Sequence, residues 1–188
     1  FRSVCSNLDV YTPEDLHGHQ FRATSSALFA KTLECLGATP VVMGFTDCLA
    51  AIQQGVVEGF EGSVSTLAGA GNPYELVKKV AETNHLIATR WLFISEDCWN
   101  TIPEKYQKII EECAYDCGMW EQTSCQDDEA TQIEMLKEHG VTWNDVDLVA
   151  FQEACKPVID WIVEEYGSTY EAYDELTRLV AEYRANNG

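Results

Sequence analysis

Arg22 is the residue whose type and position most directly suggest binding chemistry. It lies in the segment EDLHGHQFRATSS, residues 14–26, where apolar and polar residues alternate as in a β-strand that ends just before a helix. The ends of such strands are where open α/β sheets bind ligands. A guanidinium group holds a carboxylate through two charge-assisted hydrogen bonds, so Arg22 is a candidate anion-binding residue. A surface salt bridge to Glu14 or Asp15 is the alternative.

Two further residues, Phe45 and Arg90, fall at positions where either a core role or a ligand role is open. Phe45 ends the apolar run TPVVMGF, and an aromatic residue there either packs in the core or faces a ligand. Arg90 interrupts the apolar run LIATRWLFI, and a charge in a buried strand needs a partner. That partner is either a ligand or an acidic side chain.

Catalytic and metal-binding signatures are absent from the sequence. The four histidines, His17, His19, His85 and His139, fall in separate predicted elements, with no zinc-ligand spacing or nucleophile motif. Glu58 and Glu61 flank a glycine in a predicted strand, where alternation does not place them on one face. We therefore predict a protein that is not an enzyme and that carries no metal or other cofactor.

The eight cysteines permit a disulfide framework without requiring one. Three of them, at positions 113, 117 and 125, fall in one predicted helix, where an i, i+4 pair seldom has disulfide geometry. We predict that most of the cysteines are free and buried, because a free cysteine packs as a small hydrophobic residue.

Composition and charge exclude several function classes. The 188 residues are 46% hydrophobic, which is typical of a globular chain with a core, and they carry a net charge of −19. Such a charge disfavours nucleic acid and anionic membranes as partners. A close, partly buried arginine still outweighs distant surface carboxylates, because salt screens them over about 8 Å.

The first 88 residues predict alternating strands and helices around these candidates. The order is β-α-β-α-β, with a helix from Ser25 or Ser26 to about Leu36, a second capped by Thr46, and Gly59 and Gly62 in and after the third strand. Helices long enough to cross over predict an α/β fold with a largely parallel sheet.

The second half of the chain is predicted to be mainly helical. Residues 79–96 read as one or two extended segments, of which LIATRWLFI is apolar enough to be buried. A long helix from Glu104 to about His139 is expected to be interrupted near Gly118. A short edge strand at VTW and two further helices follow, the first with Pro157 inside it and the second covering about 169–185.

Several of these segments together resemble the extracytoplasmic solute-binding proteins of the tripartite ATP-independent periplasmic (TRAP) transporters, the DctP-like family that binds dicarboxylates and related organic acids. EDLHGHQFRATSS is similar to that family's D-[LM]-K-G-x-K-[IL]-R-V segment. LGATPVVMGFTDCLAAIQQGVVEGFEGSVSTL is similar to its stretch ending in G-x-E-N-P-L, and DLVAFQEACKPVIDWIVEEYG to its closing helix. The order and spacing of these segments extend over nearly the whole chain.

The resemblance implies roles for individual residues. Arg22 matches the principal carboxylate-binding arginine, Arg2 a second arginine facing the ligand, and Phe45 an aromatic residue packed on the ligand. Ser25 and Arg90 match positions that contact ligands in some members. The sequence departs from the family at Gly62 and Ser63, which stand where the family has Asn and Pro. Either the Gly62 and Ser63 backbone replaces the lost amide beside the carboxylate, or a water fills the gap, or the ligand is bulkier or differently charged than usual.

The resemblance also implies the architecture and the partners. It predicts the C-terminal lobe of a type II-like periplasmic binding protein, with residues 1–88 as the ligand-binding lobe, residues 89–188 as an interlobe-crossing strand and helical region, and an N-terminal lobe missing ahead of Arg2. The implied function is capture of a small organic acid outside the cytoplasm for the membrane permease subunits of a TRAP transporter. The protein is expected to be periplasmic, or lipid-anchored in a single-membrane bacterium. A ligand-sensing module that feeds a signalling receptor is the alternative.

Overall fold

The fold is a six-stranded mixed sheet with helices on both faces and a long helical region after the fifth strand. The structure is a computed structural model that describes residues 1–89, 91–167 and 169–187. The strands are β1 Arg2–Ser6, β2 Gln20–Ala23, β3 Thr39–Val42, β4 Gly59–Gly62, β5 Lys79–Leu86 and β6 Thr142–Asn144. The helices are α1 Ala27–Cys35, α2 Phe45–Gln53, α3 Val64–Leu67, α4 Glu96–Thr101, α5 Glu104–Glu138, α6 Leu148–Tyr166 and α7 Thr169–Asn187, and 3₁₀ turns cover Pro13–Leu16 and Pro73–Glu75.

The strand order is β3-β2-β4-β1-β5-β6. β2 is parallel to both β3 and β4, and β5 is parallel to β6. β1 runs antiparallel between β4 and β5. The predicted α/β fold with a parallel-type sheet is therefore confirmed, with the first strand as its one reversed member.

The two faces of the sheet bury two separate hydrophobic clusters. Strand alternation sends neighbouring residues of β1 to opposite faces, so Val4 joins the cluster beneath α1 and α6 while Cys5 joins the cluster beneath α2, α3 and the end of α5. Phe21 and Phe60, both fully buried, anchor the two clusters. The carboxyl ends of β2 and β4 lie side by side, and they position the candidate site.

Helix α5 is continuous through Gly118, so the predicted interruption is wrong. A Cβ at Gly118 would meet no atom within 4 Å, which shows that this glycine lies on an open helix surface. A mid-helix glycine costs only about 1 kcal/mol relative to alanine, and the long helical runs on either side outweigh that cost. The helix ends as predicted beside Gly140, whose φ is +79°.

The prediction that the apolar run around residues 91–94 is buried is also wrong. Strand β5 ends at Leu86, and Trp91, Leu92 and Phe93 are 72%, 82% and 83% exposed. No described element pairs with this segment, so its apolar side chains have nothing to pack against.

The cysteine prediction is confirmed for pairing and only partly for burial. Cys5 and Cys48 are buried free thiols, and desolvation by burial raises the pKa of Cys5 to about 12 and that of Cys48 to about 11. Free thiols are half-buried at Cys35 and Cys155 and exposed at Cys98, Cys113 and Cys117. Those three lie on α4 and α5, which bury almost none of their own surface.

Candidate functional site

Arg22 lies at the carboxyl end of β2 with its guanidinium held from one side. The residue is 8% exposed, and its Nε donates a hydrogen bond to the carbonyl oxygen of Met43 at 2.9 Å. Within the part of the chain that the structure describes, no carboxylate forms an ion pair with it. The alternative of a salt bridge to Asp15 is therefore not seen, since that carboxylate instead accepts hydrogen bonds from the backbone amides of Tyr11 and Thr12.

Two aromatic rings shape the apolar side of Arg22. Its Cζ lies 5.5 Å from the ring centroid of Phe45, a cation–π distance. Phe45 in turn packs edge-on against Phe60, with centroids 5.2 Å apart.

The sequence placed Phe45 at a strand end and the helix cap at Thr46, but Phe45 is the first residue of α2. The extended backbone of Gly44 makes it the N-cap, so the helix starts earlier than predicted. We call Arg22, Met43, Phe45 and Phe60 the Arg22 cluster.

Arg2 points away from Arg22 and forms a buried ion pair. Its Nε and Nη2 contact the two carboxylate oxygens of Glu61 at 2.5 and 2.9 Å, and Nη2 also donates to the Glu61 backbone oxygen at 3.0 Å. Its guanidinium lies 4.9 Å from the ring of Phe29 in α1, whereas Arg22 lies against Phe45 in α2. The structure therefore does not bring the two predicted arginines together on one face.

Glu61 and His85 form a buried polar pair behind β4. Glu61 is fully buried, and desolvation raises the pKa of its carboxyl even though Arg2 and Arg22 oppose the shift. His85 Nε2 lies 4.0 Å from Glu61 Oε2 and has no hydrogen-bond partner, while Nδ1 lies 2.7 Å from Thr83 Oγ1. Burial and the charge of Arg2 lower the pKa of His85 to about 4, so its imidazole is neutral near pH 7.

Gly62 and Ser63 lie at the end of β4 and the start of α3. A Cβ at Gly62 would come within 3.1 Å of the Phe60 ring and of Thr66 Cβ, so these two side chains pack tightly against the glycine backbone. Ser63 is the N-cap of α3, and its Oγ lies 2.8 Å from Ser65 Oγ and 3.1 Å from Thr66 Oγ1. Hydroxyl groups therefore stand beside the position where the family pattern carries an amide.

Ser25 and Arg90 are the two remaining predicted site residues, and Glu61 and His85 are two buried residues that the sequence patterns did not bring together. Ser25 is exposed in the turn before α1, and Arg90 lies outside the described residues. The sequence reasoning left Glu61 and His85 as isolated side chains. Their proximity depends on the two registers that pair β1 with β4 and with β5, and single-chain periodicity does not reveal those registers.

The sequence of this chain matches a known protein family. Residues 1–166 match the family model of bacterial extracellular solute-binding proteins, family 7. The chain belongs to this family. The resemblance seen in the sequence motifs is thereby confirmed. Among the helices that the structure describes, none combines the length and hydropathy of a membrane span.

Curated relatives within family 7 are similar over most of this chain. A solute-binding protein of Roseobacter denitrificans is 28% identical over 84% of the chain, and the sialic acid-binding periplasmic protein SiaP of Vibrio cholerae is 26% identical over 84%. The chain covers 48% and 49% of those two proteins, so it spans about half the length of the curated relatives it matches.

Solved structures of the family are also similar to the fold. A TRAP periplasmic solute-binding protein from Fusobacterium nucleatum with bound sn-glycerol-3-phosphate is 33% identical, with a TM-score of 0.89 over 99% of this chain and 59% of that one. One from Desulfovibrio salexigens in complex with diglycerolphosphate is 35% identical, with a TM-score of 0.79 over 84% of this chain and 51% of that one. A Sulfitobacter relative with bound β-D-galacturonate is 25% identical, with a TM-score of 0.83 over 90% of this chain and 57% of that one.

Proposed function

We propose that the protein captures a small organic acid outside the cytoplasm and delivers it to the membrane subunits of a TRAP transporter. The observation that carries this proposal is Arg22, a buried guanidinium at a strand end with one backbone contact, one aromatic contact and no carboxylate within ion-pair distance among the described residues. A buried cation of this kind favours an anion that supplies the missing charge. Membership of family 7, whose named relatives are periplasmic binding proteins, supports the same role and location.

The proposed site centres on Arg22 and Phe45, with Gly62 and Ser63 beside them. Arg22 orients the acid group and Phe45 packs against the ligand body. Arg2 holds the Glu61 carboxylate at the end of β4, next to Gly62, and its proposed part in binding is through that pair. Ser25 and Arg90 are the remaining proposed ligand contacts.

The architecture proposed for the whole protein has two lobes. Residues 1–88 form the ligand-binding lobe, and residues 89–188 cross towards an N-terminal lobe while returning β6 and α6 to the first lobe. The exposed apolar segment of Trp91, Leu92 and Phe93 supports this arrangement, because such a surface is typical of an unfilled interface.

A phosphate ester of a small polyol is a second candidate ligand class. The Fusobacterium and Desulfovibrio structures, 33% and 35% identical to this chain, hold sn-glycerol-3-phosphate and diglycerolphosphate. Ser63, Ser65 and Thr66 offer hydroxyl donors near Gly62, where an amide is lost. Hydroxyl and guanidinium donors suit the additional oxygens of a phosphate group.

Calorimetry on the protein produced from its whole reading frame tests both ligand classes. A charge-assisted hydrogen-bonded pair contributes about 1.5–3 kcal/mol, so Arg22→Ala should weaken binding of the preferred acid by about tenfold to more than a hundredfold. Lys31→Ala, which removes an exposed cation on α1, is the matched control and should leave affinity unchanged. Equal affinity for wild type and Arg22→Ala would refute the assignment of Arg22. Titrating D-galacturonate and sn-glycerol-3-phosphate in parallel separates the two acid classes.

A further inference from the structure

Helix α7 exposes a stripe of large apolar side chains. The helix follows the segment that matches the family model, which ends at residue 166, and every residue from 171 to 186 is exposed. Apolar side chains still recur along it at the three- and four-residue spacing of one helix face. They are Tyr173, Leu176, Val180 and Tyr183. A helix of 19 residues that is so exposed depends for its stability on a partner for that face.

The first half of this stripe borders an apolar groove between α6 and α7. The groove has a volume of about 250 Å³. It is lined by three residues from each helix, all of them apolar or aromatic: Ile159, Ile162 and Val163 of α6, and Ala172, Tyr173 and Leu176 of α7. We call this space the α6–α7 groove. An engineered cavity of about 150 Å³ holds benzene, so the groove has room for a large apolar side chain from another molecule.

The second half of the stripe projects from α7 beyond the groove. Its large apolar side chains are Leu179, Val180 and Tyr183, which are 48%, 40% and 69% exposed and do not line the groove. We call these three residues the α7 knob. On the other side of the helix the charges satisfy one another, because Arg178 pairs with both Glu175 and Glu182. The surface that α7 offers to a partner is therefore apolar.

The groove and the knob carry opposite charges at their edges. Acidic residues adjoin the groove lining on both helices, and all of them are exposed: Asp160 and Glu164 on α6, and Glu171 on α7. Arg184 directly follows the knob and is also exposed. A knob with a basic edge suits a groove with an acidic rim, because complementary charges favour one orientation of two surfaces over others.

A second copy of this chain is the occupant that matches both features. The groove half and the knob half of α7 are seven residues apart, which is two helical turns or about 10 Å. When two α7 helices pack antiparallel, the knob of each copy enters the groove of the other, and Arg184 of each copy reaches Glu171 of the other. A two-fold axis then repeats every contact, as in the self-complementary interfaces of symmetric dimers.

We propose that the protein forms a two-fold symmetric homodimer in which the α7 knob of each copy enters the α6–α7 groove of the other. The inference goes beyond the proposed function and does not depend on a ligand. The contact involves a few helical turns from each copy, which is the small end of protein interfaces, below about 1,200 Å². We therefore expect a weak dimer with a dissociation constant in the micromolar range. The charge of −19 on each chain opposes association, but salt screens it over about 8 Å.

Sedimentation velocity at physiological ionic strength tests the dimer on the protein produced from its whole reading frame. The wild type should pass from monomer to dimer as its concentration rises from submicromolar to several hundred micromolar. Val180→Asp places a carboxylate in the contact twice, by symmetry, and should weaken the dimer by about tenfold or more. Val149→Asp changes an exposed valine of α6 that does not line the groove, and this matched control should leave the dimer unchanged.

A charge exchange tests the antiparallel arrangement. Arg184→Glu should weaken the dimer by about threefold or more, because two exposed ion pairs are lost, and Arg184→Glu/Glu171→Arg should restore most of that loss. A double variant no better than Arg184→Glu would overturn the arrangement. A wild type that stays monomeric, with another part of the whole protein covering the stripe, or an unchanged dimer in Val180→Asp, would overturn the proposal. Unchanged thermal unfolding of the variants would show that they are folded, and ligand binding by calorimetry tests the proposed function separately.

Discussion

The buried Arg2–Glu61 pair should be the polar interaction whose disruption costs the most folding stability. Glu61 is fully buried and the Arg2 side chain is 13% exposed, with two contacts between guanidinium and carboxylate. Removing one member of such a pair leaves a buried charge without compensation and costs about 3–5 kcal/mol. Arg2→Met should therefore lower the free energy of unfolding by about 3 kcal/mol, the lower end of that range, because protonation of Glu61 relieves part of the penalty for the unpaired charge.

A double-mutant cycle measured by urea unfolding at pH 7 separates the attraction between Arg2 and Glu61 from the cost of burying each charge. Glu61→Gln removes the buried charge, so the double variant Arg2→Met/Glu61→Gln should recover much of the stability lost in Arg2→Met alone. The coupling energy should reach about 1–3 kcal/mol. The exposed pair Lys31–Glu34 supplies a control cycle, whose coupling should not exceed about 0.5 kcal/mol. Additive losses of stability in the Arg2–Glu61 cycle would refute the claim that these two side chains stabilise each other.

Three further predictions concern acidity, thiols and backbone. The imidazole of His85 has a pKa of about 4 in the fold, below the ordinary histidine value of 6.5, so its neutral form contributes stability above pH 6.5 that is lost as the pH falls to 4. His85→Asn should reduce that acid-dependent loss by about 3 kcal/mol in urea melts at pH 7 and 4, and an unchanged difference between wild type and variant would contradict a buried neutral histidine. Alkylation followed by peptide mass spectrometry should label Cys98 and Cys113 rapidly in the native protein and Cys5 only after unfolding, and rapid native labelling of Cys5 would show that its burial is wrong. Gly59→Ala should lower the thermal midpoint by several degrees because its Cβ would approach the carbonyl oxygen of Cys5 to 2.0 Å, whereas Gly118→Ala should leave it unchanged or raise it slightly.

Local patterns predicted the framework of this protein well. Alternation in residues 14–26 placed β2, Ser26 and Leu36 bound α1 as predicted, and VTW overlaps the predicted edge strand. These features depend on residues close in sequence, which is why periodicity and capping rules reach them. The exceptions are positions where the local signal is weak, such as Gly118, or where burial depends on a distant partner, such as Trp91.

The candidate site was predictable in its residues and not in its geometry. A strand-end guanidinium and a nearby aromatic ring were visible in the sequence, and the structure places Arg22 against Phe45. The opposite orientation of Arg2 follows from strand register and from its pairing with Glu61. Gly62 also lines an open groove together with Gln126 and Glu129 of α5, which lie more than sixty residues further along the chain, so no local pattern could have indicated that they come together.

The continuity of α5 has a mechanical consequence. At 1.5 Å per residue its 35 residues extend for about 52 Å, longer than the roughly 30 Å diameter of a small domain. Only its C-terminal end is clamped in the core, at Leu136, while the opposite end stands free of the sheet. Such a rod acts as a lever: a rotation of about 5° at the clamped end displaces the far end by about 4 Å. A small change in the packing around Leu136 would therefore be amplified into a displacement at the far end of the helix.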